Sequence, residues 1–89
     1  MKYKIYLEQE YKDFNGDLEP DREIECNPEW LDYELGDYCK YLYDQRDGWE
    51  WMKDSSERIL AIDESGNKLY FVFELDYEPS FLVMESKTQ

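Results

Sequence analysis

Asn27-Pro28-Glu29-Trp30-Leu31-Asp32-Tyr33-Glu34-Leu35-Gly36-Asp37-Tyr38-Cys39-Lys40-Tyr41-Leu42 is the stretch whose reading decides the fold. Asn27 is a helix-capping residue type, Pro28 suits the first helical position, and Glu29 falls where the helix dipole favours an anion. Leu31, Leu35, Tyr38 and Leu42 recur at spacings of four, three and four and so share one stripe, with Cys39 beside it. Asp32, Asp37, Lys40 and Asp44 take the opposite face. One amphipathic helix is predicted, with Asp47-Gly48 as its stop and Arg46 complementing its C-terminal dipole. Gly36 inside it costs about 1 kcal/mol of helix propensity relative to Ala. Either it permits close packing or the helix is irregular there.

The segments on both sides read as strands. Between Lys2 and Lys12, Tyr3, Ile5 and Leu7 alternate with Lys2, Lys4, Tyr6 and Glu8, the period of a half-buried strand. Asn15-Gly16, Asp17 and Pro20 are turn residues, so the chain should reverse between Asp13 and Pro20. Arg22 to Cys26 then pairs back as a second strand with Ile24 and Cys26 inward. After the helix, Asp54 to Glu57 reads as a loop and Arg58 to Asp63 as a short buried strand. Glu64-Ser65-Gly66-Asn67 is hairpin-turn chemistry. Leu69, Phe71, Phe73 and Leu75 alternate beyond it with Tyr70, Val72, Glu74 and Asp76. Glu78-Pro79-Ser80 breaks this strand, Phe81 to Met84 returns as the last, and Glu85 to Gln89 forms a tail. The expected class is α+β: a single domain over residues 1–89, ordered ββαβββ, with one helix on one face of an antiparallel sheet.

The 89 residues carry 23 acidic side chains against 10 Lys or Arg and no His, a net charge of −13, with 18 % aromatics. A chain this short buries about 60–65 % of its extended surface, which excludes a second domain or a large catalytic cleft. Three Trp, nine Tyr and four Phe argue for a core rather than disorder. No apolar run approaches the roughly 20 residues that span a bilayer, and Met1 to Tyr11 lacks a signal-peptide pattern, so a cytoplasmic location is expected. Cys26 and Cys39 then read as reduced thiols. A charge this negative repels nucleic acid and anionic membrane, so an electrostatically attracted partner should be basic. Residues 13–37 hold ten acids and Arg22 alone, for −9. Asp13, Asp17, Glu19, Asp21, Glu23, Glu25, Glu29, Asp32, Glu34 and Asp37 are therefore expected to form one anionic face.

Nothing in the sequence names a chemistry. Nucleophilic catalysis lacks its usual histidine base, and an acidic neighbourhood raises rather than lowers a thiol pKa. Two cysteines without His make no standard zinc site, the acidic loops lack the ligand spacing of a calcium loop, and the four glycines are too scattered for a phosphate loop. No enzyme, cofactor or metal is expected. The conspicuous cluster is Trp49-Glu50-Trp51-Met52 after Arg46-Asp47-Gly48, in which one indole closes the core and the other is free to anchor a partner. Tyr33, off the core stripe among carboxylates, suits contact with arginine.

The stretch Arg46-Asp47-Gly48-Trp49-Glu50-Trp51-Met52, followed by Asp63-Glu64-Ser65-Gly66-Asn67 and Glu78-Pro79-Ser80-Phe81, resembles a pattern in small acidic uncharacterised proteins of phages and other mobile elements. The resemblance implies a phage or prophage origin and assigns no residue a role. In size and acidity the chain is also similar to anti-CRISPR proteins and other DNA-mimic inhibitors. The expected function is that of a non-enzymatic inhibitor occupying the basic surface of a nucleic-acid-binding protein, such as a host defence nuclease complex, in the host cytoplasm. Glu23, Glu25, Glu29, Asp32, Glu34 and Asp37 would supply charge, and Tyr33 with Trp49 or Trp51 apolar anchoring. The alternative is a small structural or assembly protein of a phage whose acid serves solubility. A homodimer through a sheet edge stays open.

Overall fold

A computed structural model gives the fold and describes residues 1–15, 17–45, 58–77 and 80–86, with the side chains at 75–77 and 80 left aside. The elements run β1 (Lys2–Leu7), α1 (Glu8–Asp13), β2 (Arg22–Glu25), a 3-10 turn (Pro28–Trp30), α2 (Leu31–Gln45), β3 (Ile59–Asp63), β4 (Lys68–Tyr77) and β5 (Ser80–Glu85). The strands form one antiparallel sheet in the order β2-β1-β3-β4-β5. The class is the expected α+β, with one main helix on one face of the sheet. The helix stop at Arg46 to Gly48, the loop at 54–57 and the Trp49-to-Met52 cluster lie outside the described residues.

The helix starts where its chemistry directs. Asn27 Oδ1 accepts a hydrogen bond from the Glu29 N–H at 3.0 Å, and Pro28 opens a 3-10 turn that passes into α2. Leu31, Leu35, Tyr38, Cys39 and Leu42 are its buried residues. They meet Ile5 and Leu7 of β1, Ile24 of β2, Ile59 and Ala61 of β3, Phe71 of β4 and Val83 of β5 in one core. Tyr38 is fully buried, and its hydroxyl reaches the Asp21 carboxylate at 2.9 Å, so the ring fills the core without stranding its polar atom. Gly36 neither breaks α2 nor is required by packing. A methyl there would meet the Phe81 carbonyl oxygen at 3.7 Å, ordinary contact.

One expectation is corrected. The alternation from Lys2 predicts a strand through Lys12, but β1 ends at Leu7 and Glu8–Asp13 is a short helix. Glu8 explains the change of direction. Its N–H donates to the Arg58 carbonyl at 2.9 Å, and its buried carboxylate takes two hydrogen bonds from the Arg58 guanidinium, at 2.5 and 2.7 Å. Lys12, one turn on, adds an ion pair at 2.8 Å. These bonds hold the Glu8 carboxyl below the usual range, Arg58 being the main cause, and tie α1 to the start of β3. The tyrosine ring of Tyr11 then meets Tyr6 edge-on with centroids 4.9 Å apart, so α1 covers part of the face opposite α2.

The β3–β4 turn is the expected hairpin. Asp63 Oδ1 accepts the N–H groups of Ser65 and Asn67, both at 2.9 Å, and Gly66 takes the positive φ of 84° that the reversal needs. These N–H donors, that of Asn67 first, hold the Asp63 carboxyl below its ordinary value.

Two adjacent helix positions should respond in opposite directions. Leu35→Ala empties a fully buried site and should cost about 2–5 kcal/mol, while Gly36→Ala should add up to about 1 kcal/mol, both read by denaturant melts. Because the Glu8 pKa is depressed in the fold, its contribution is complete above the unfolded value of 4.5 and is lost as pH falls through the folded one. The gap in melting temperature between wild type and Glu8→Gln should therefore be several degrees at pH 7 and close on acidification.

Candidate functional site

The sheet divides the carboxylates that the sequence grouped together. Ile24 of β2 points into the core beneath α2, so Glu23 and Glu25 on either side of it point to the opposite face. There each stands directly across from a lysine, Glu23 from Lys4 and Glu25 from Lys2. The expected continuous anionic face from Asp13 to Asp37 is therefore two surfaces. Lys2, Lys4, Ile62 and Glu64 line an open groove of about 640 Å³ with these glutamates, a surface of mixed charge.

The remaining site residues lie on α2 and the turn before it, but at different angles. Glu34 faces the β2 edge, near enough to Cys26 to help raise its thiol pKa. Arg22 of that edge lies over the rings of Tyr38 and Tyr41, at 5.4 and 4.8 Å from their centroids. Asp32 lies on the β5 side, where a second groove is bounded by Leu31, Phe71, Val83 and Glu85. Its carboxylate also accepts the Tyr33 N–H at 2.8 Å, meeting a donor of the first helical turn. Tyr33 and Asp37, one turn apart, face away from the sheet with Lys40 and Asp44. Glu29 is exposed at the helix start.

Trp30 was missed by the sequence reading. It sits in the 3-10 turn with 59 % of its surface exposed, edge-on to Tyr33, which is 67 % exposed, with ring centroids 6.4 Å apart. Its position directly before the Leu31 stripe was the available signal, since a residue one place out of phase with a buried stripe turns outward. Large rings left in water beside Glu29, Asp32 and Asp37 form an amphipathic platform: the indole and phenol offer apolar area and π faces, and the carboxylates offer charge. Trp49 and Trp51 lie outside the described residues.

Burial pushes the Cys39 thiol up to about 12, and burial with the nearby Glu34 charge raises that of Cys26; both are free cysteines. Among the described residues no cluster of three or more His, Cys, Asp or Glu side chains could hold a metal ion, and no helix is long and apolar enough to cross a membrane. Comparison of the chain with protein-family models, with curated proteins and with solved structures finds no match.

Alkylation should separate the two thiols. In the native protein iodoacetamide should modify half-buried Cys26 more slowly than a free cysteine and leave Cys39 untouched until denaturant is added. Peptide mass mapping before and after unfolding reads the result.

Proposed function

We propose that the chain is a small acidic, non-enzymatic binding protein that seats the outer face of α2 on the basic surface of a nucleic-acid-binding protein, as a phage or mobile-element inhibitor of the anti-CRISPR or DNA-mimic type would. The observation that carries the reading is the exposed Trp30–Tyr33 pair set among carboxylates. Asp37 on the outer face stands in for a phosphate, flanked by Asp32 on its β5 side and Glu34 on its β2 side and with Glu29 at the helix start, and together they draw the helix toward arginines and lysines. Trp30 and Tyr33 give those cations a π face and supply the desolvated contact area that charge alone lacks. The mixed-charge setting of Glu23 and Glu25 takes them out of this interface. The lack of histidine and the raised thiol pKa values support a role without covalent chemistry. The host cytoplasm is where such a target resides.

A second reading has its own support. Val72, Leu82 and Met84 are exposed on the face opposite α2, which favours a small structural or assembly protein whose acid keeps it soluble.

Capture from a bacterial lysate at low and high salt distinguishes them. The inhibitor reading expects a nucleic-acid-binding protein that is released by salt and competed off by DNA. The triple variant Asp32→Lys, Glu34→Lys, Asp37→Lys should abolish that capture while keeping the wild-type circular dichroism, and Trp30→Ala alone should cost about 2 kcal/mol of binding. Unchanged binding by the folded triple variant removes the helix as the interface. Recovery of salt-resistant, neutral partners alone transfers the case to the assembly reading.

A further inference from the structure

Between the first turn of α2 and the sheet, a groove of about 540 Å³ opens at the start of β4 and the end of β5. Its apolar surface comes from Leu31 of α2, Leu69 and Phe71 of β4 and Val83 of β5. Leu31, Phe71 and Val83 are members of the core, and half-buried Leu69 packs against it, so the groove is an open margin of the core itself. Side chains held by core packing keep the groove formed before anything enters it. The charges lie in the groove's own lining and have one sign. Glu29 and Asp32 stand on the helix bank, and Glu85 stands on the strand bank, across the β4–β5 ladder from Phe71. All three are exposed, no Lys or Arg lines the groove with them, and none has an ion-pair partner among the described residues.

This arrangement selects the occupant. Among the described residues no three acidic or thiol side chains come close enough together to hold a metal ion. The carboxylates stand instead on two banks with apolar side chains between them, which matches a ligand whose own cations are separated by apolar surface. A second copy of a chain with net charge −13 does not supply that pattern. Taking the basic partner of the helix-face reading as given, we propose that the groove receives an apolar side chain of that partner, flanked on both sides by arginine or lysine. The apolar side chain covers Leu69 and its core neighbours and removes their area from water. One flanking cation meets Glu85, and the other meets Glu29 and Asp32. Alternate residues of an extended segment share a face, so a basic, any, apolar, any, basic spacing aims all three side chains at the groove. Glu29 and Asp32 flank Trp30 in sequence, so one partner surface reaches both the groove and the exposed rings.

NMR titration of the isotope-labelled full chain with two end-blocked peptides tests it: arginine-glycine-leucine-glycine-arginine, and the same peptide with alanine in place of leucine. Leucine is chosen because an aliphatic side chain gains nothing special from the Trp30 and Tyr33 rings. The leucine peptide should shift the methyl groups of Leu31, Leu69 and Val83 in a saturable way and bind at least about fivefold more tightly than the alanine peptide. Glu85→Lys, at an exposed site on the strand bank, should weaken the leucine peptide at least about fivefold. Glu74→Lys, which changes the net charge equally on the opposite face of the sheet, should weaken it about twofold at most. Unchanged circular dichroism checks that both variants fold, and the leucine–alanine comparison needs no variant. Equal affinity of the two peptides, with shifts at the Trp30 indole and none at the groove methyls, overturns the groove proposal and leaves the helix-face reading standing. Groove shifts that depend on leucine and Glu85 while the Trp30 indole stays still support the groove and count against the helix face. Absence of saturable binding by either peptide, or equal weakening by Glu74→Lys and Glu85→Lys, overturns the proposal.

Discussion

The seating of α2 across one face of a five-stranded sheet is the constraint on which the rest of this structure depends. Leu35, Tyr38, Cys39 and Leu42 close a core whose floor is Ile5, Ile59, Ala61, Phe71 and Val83. A sheet has two faces, and the described residues supply one long helix. The second face is managed piecemeal: Tyr11 of α1 packs on Tyr6, lysines stand across the strands from Glu23 and Glu25, and Val72, Leu82 and Met84 are exposed. The Glu8–Arg58 pair belongs to the same arrangement. It turns the chain out of β1 at Leu7 so that α1 can lie where the alternation would otherwise have continued as strand.

The sheet also sorts the charge. A net −13 spread evenly would repel any second surface of the same kind on all sides, but here the faces differ in character. The helix side presents carboxylates with exposed rings, and the open side presents both signs with an apolar strip.

The period-two and helical patterns were legible because they record burial against a single partner layer. Tyr3, Ile5 and Leu7 announced β1, the stripe from Leu31 to Leu42 announced α2, and Asn27-Pro28 announced where it starts. The hairpin at Asp63 to Asn67 was legible from Gly66 and its flanking runs. What the pattern could not carry depended on residues distant in sequence. The helix at Glu8–Asp13 is held by Arg58, some fifty residues away, and local alternation contains no trace of that bond. The splitting of the acidic segment follows from the β1–β2 register, which puts Glu23 and Glu25 across from lysines. Trp30 is hard to place from the sequence because it stands directly before the buried stripe, and its exposure depends on the 3-10 turn that leads into α2. Of the candidate site, the pattern marks Tyr33 and the helix carboxylates as off the buried stripe, whereas the pairing of Tyr33 with Trp30 depends on the geometry of the turn.

The most direct test of the central claim, that the outer face of α2 is the surface built to meet cations, is an NMR titration of the isotope-labelled chain with an arginine-rich peptide at low salt. The indole N–H of Trp30 and the backbone amides of residues 29–41 should shift in a saturable way and return as salt is raised. Shifts confined to the open sheet face around Lys4, Ile62 and Val72, or none that saturate, would contradict it.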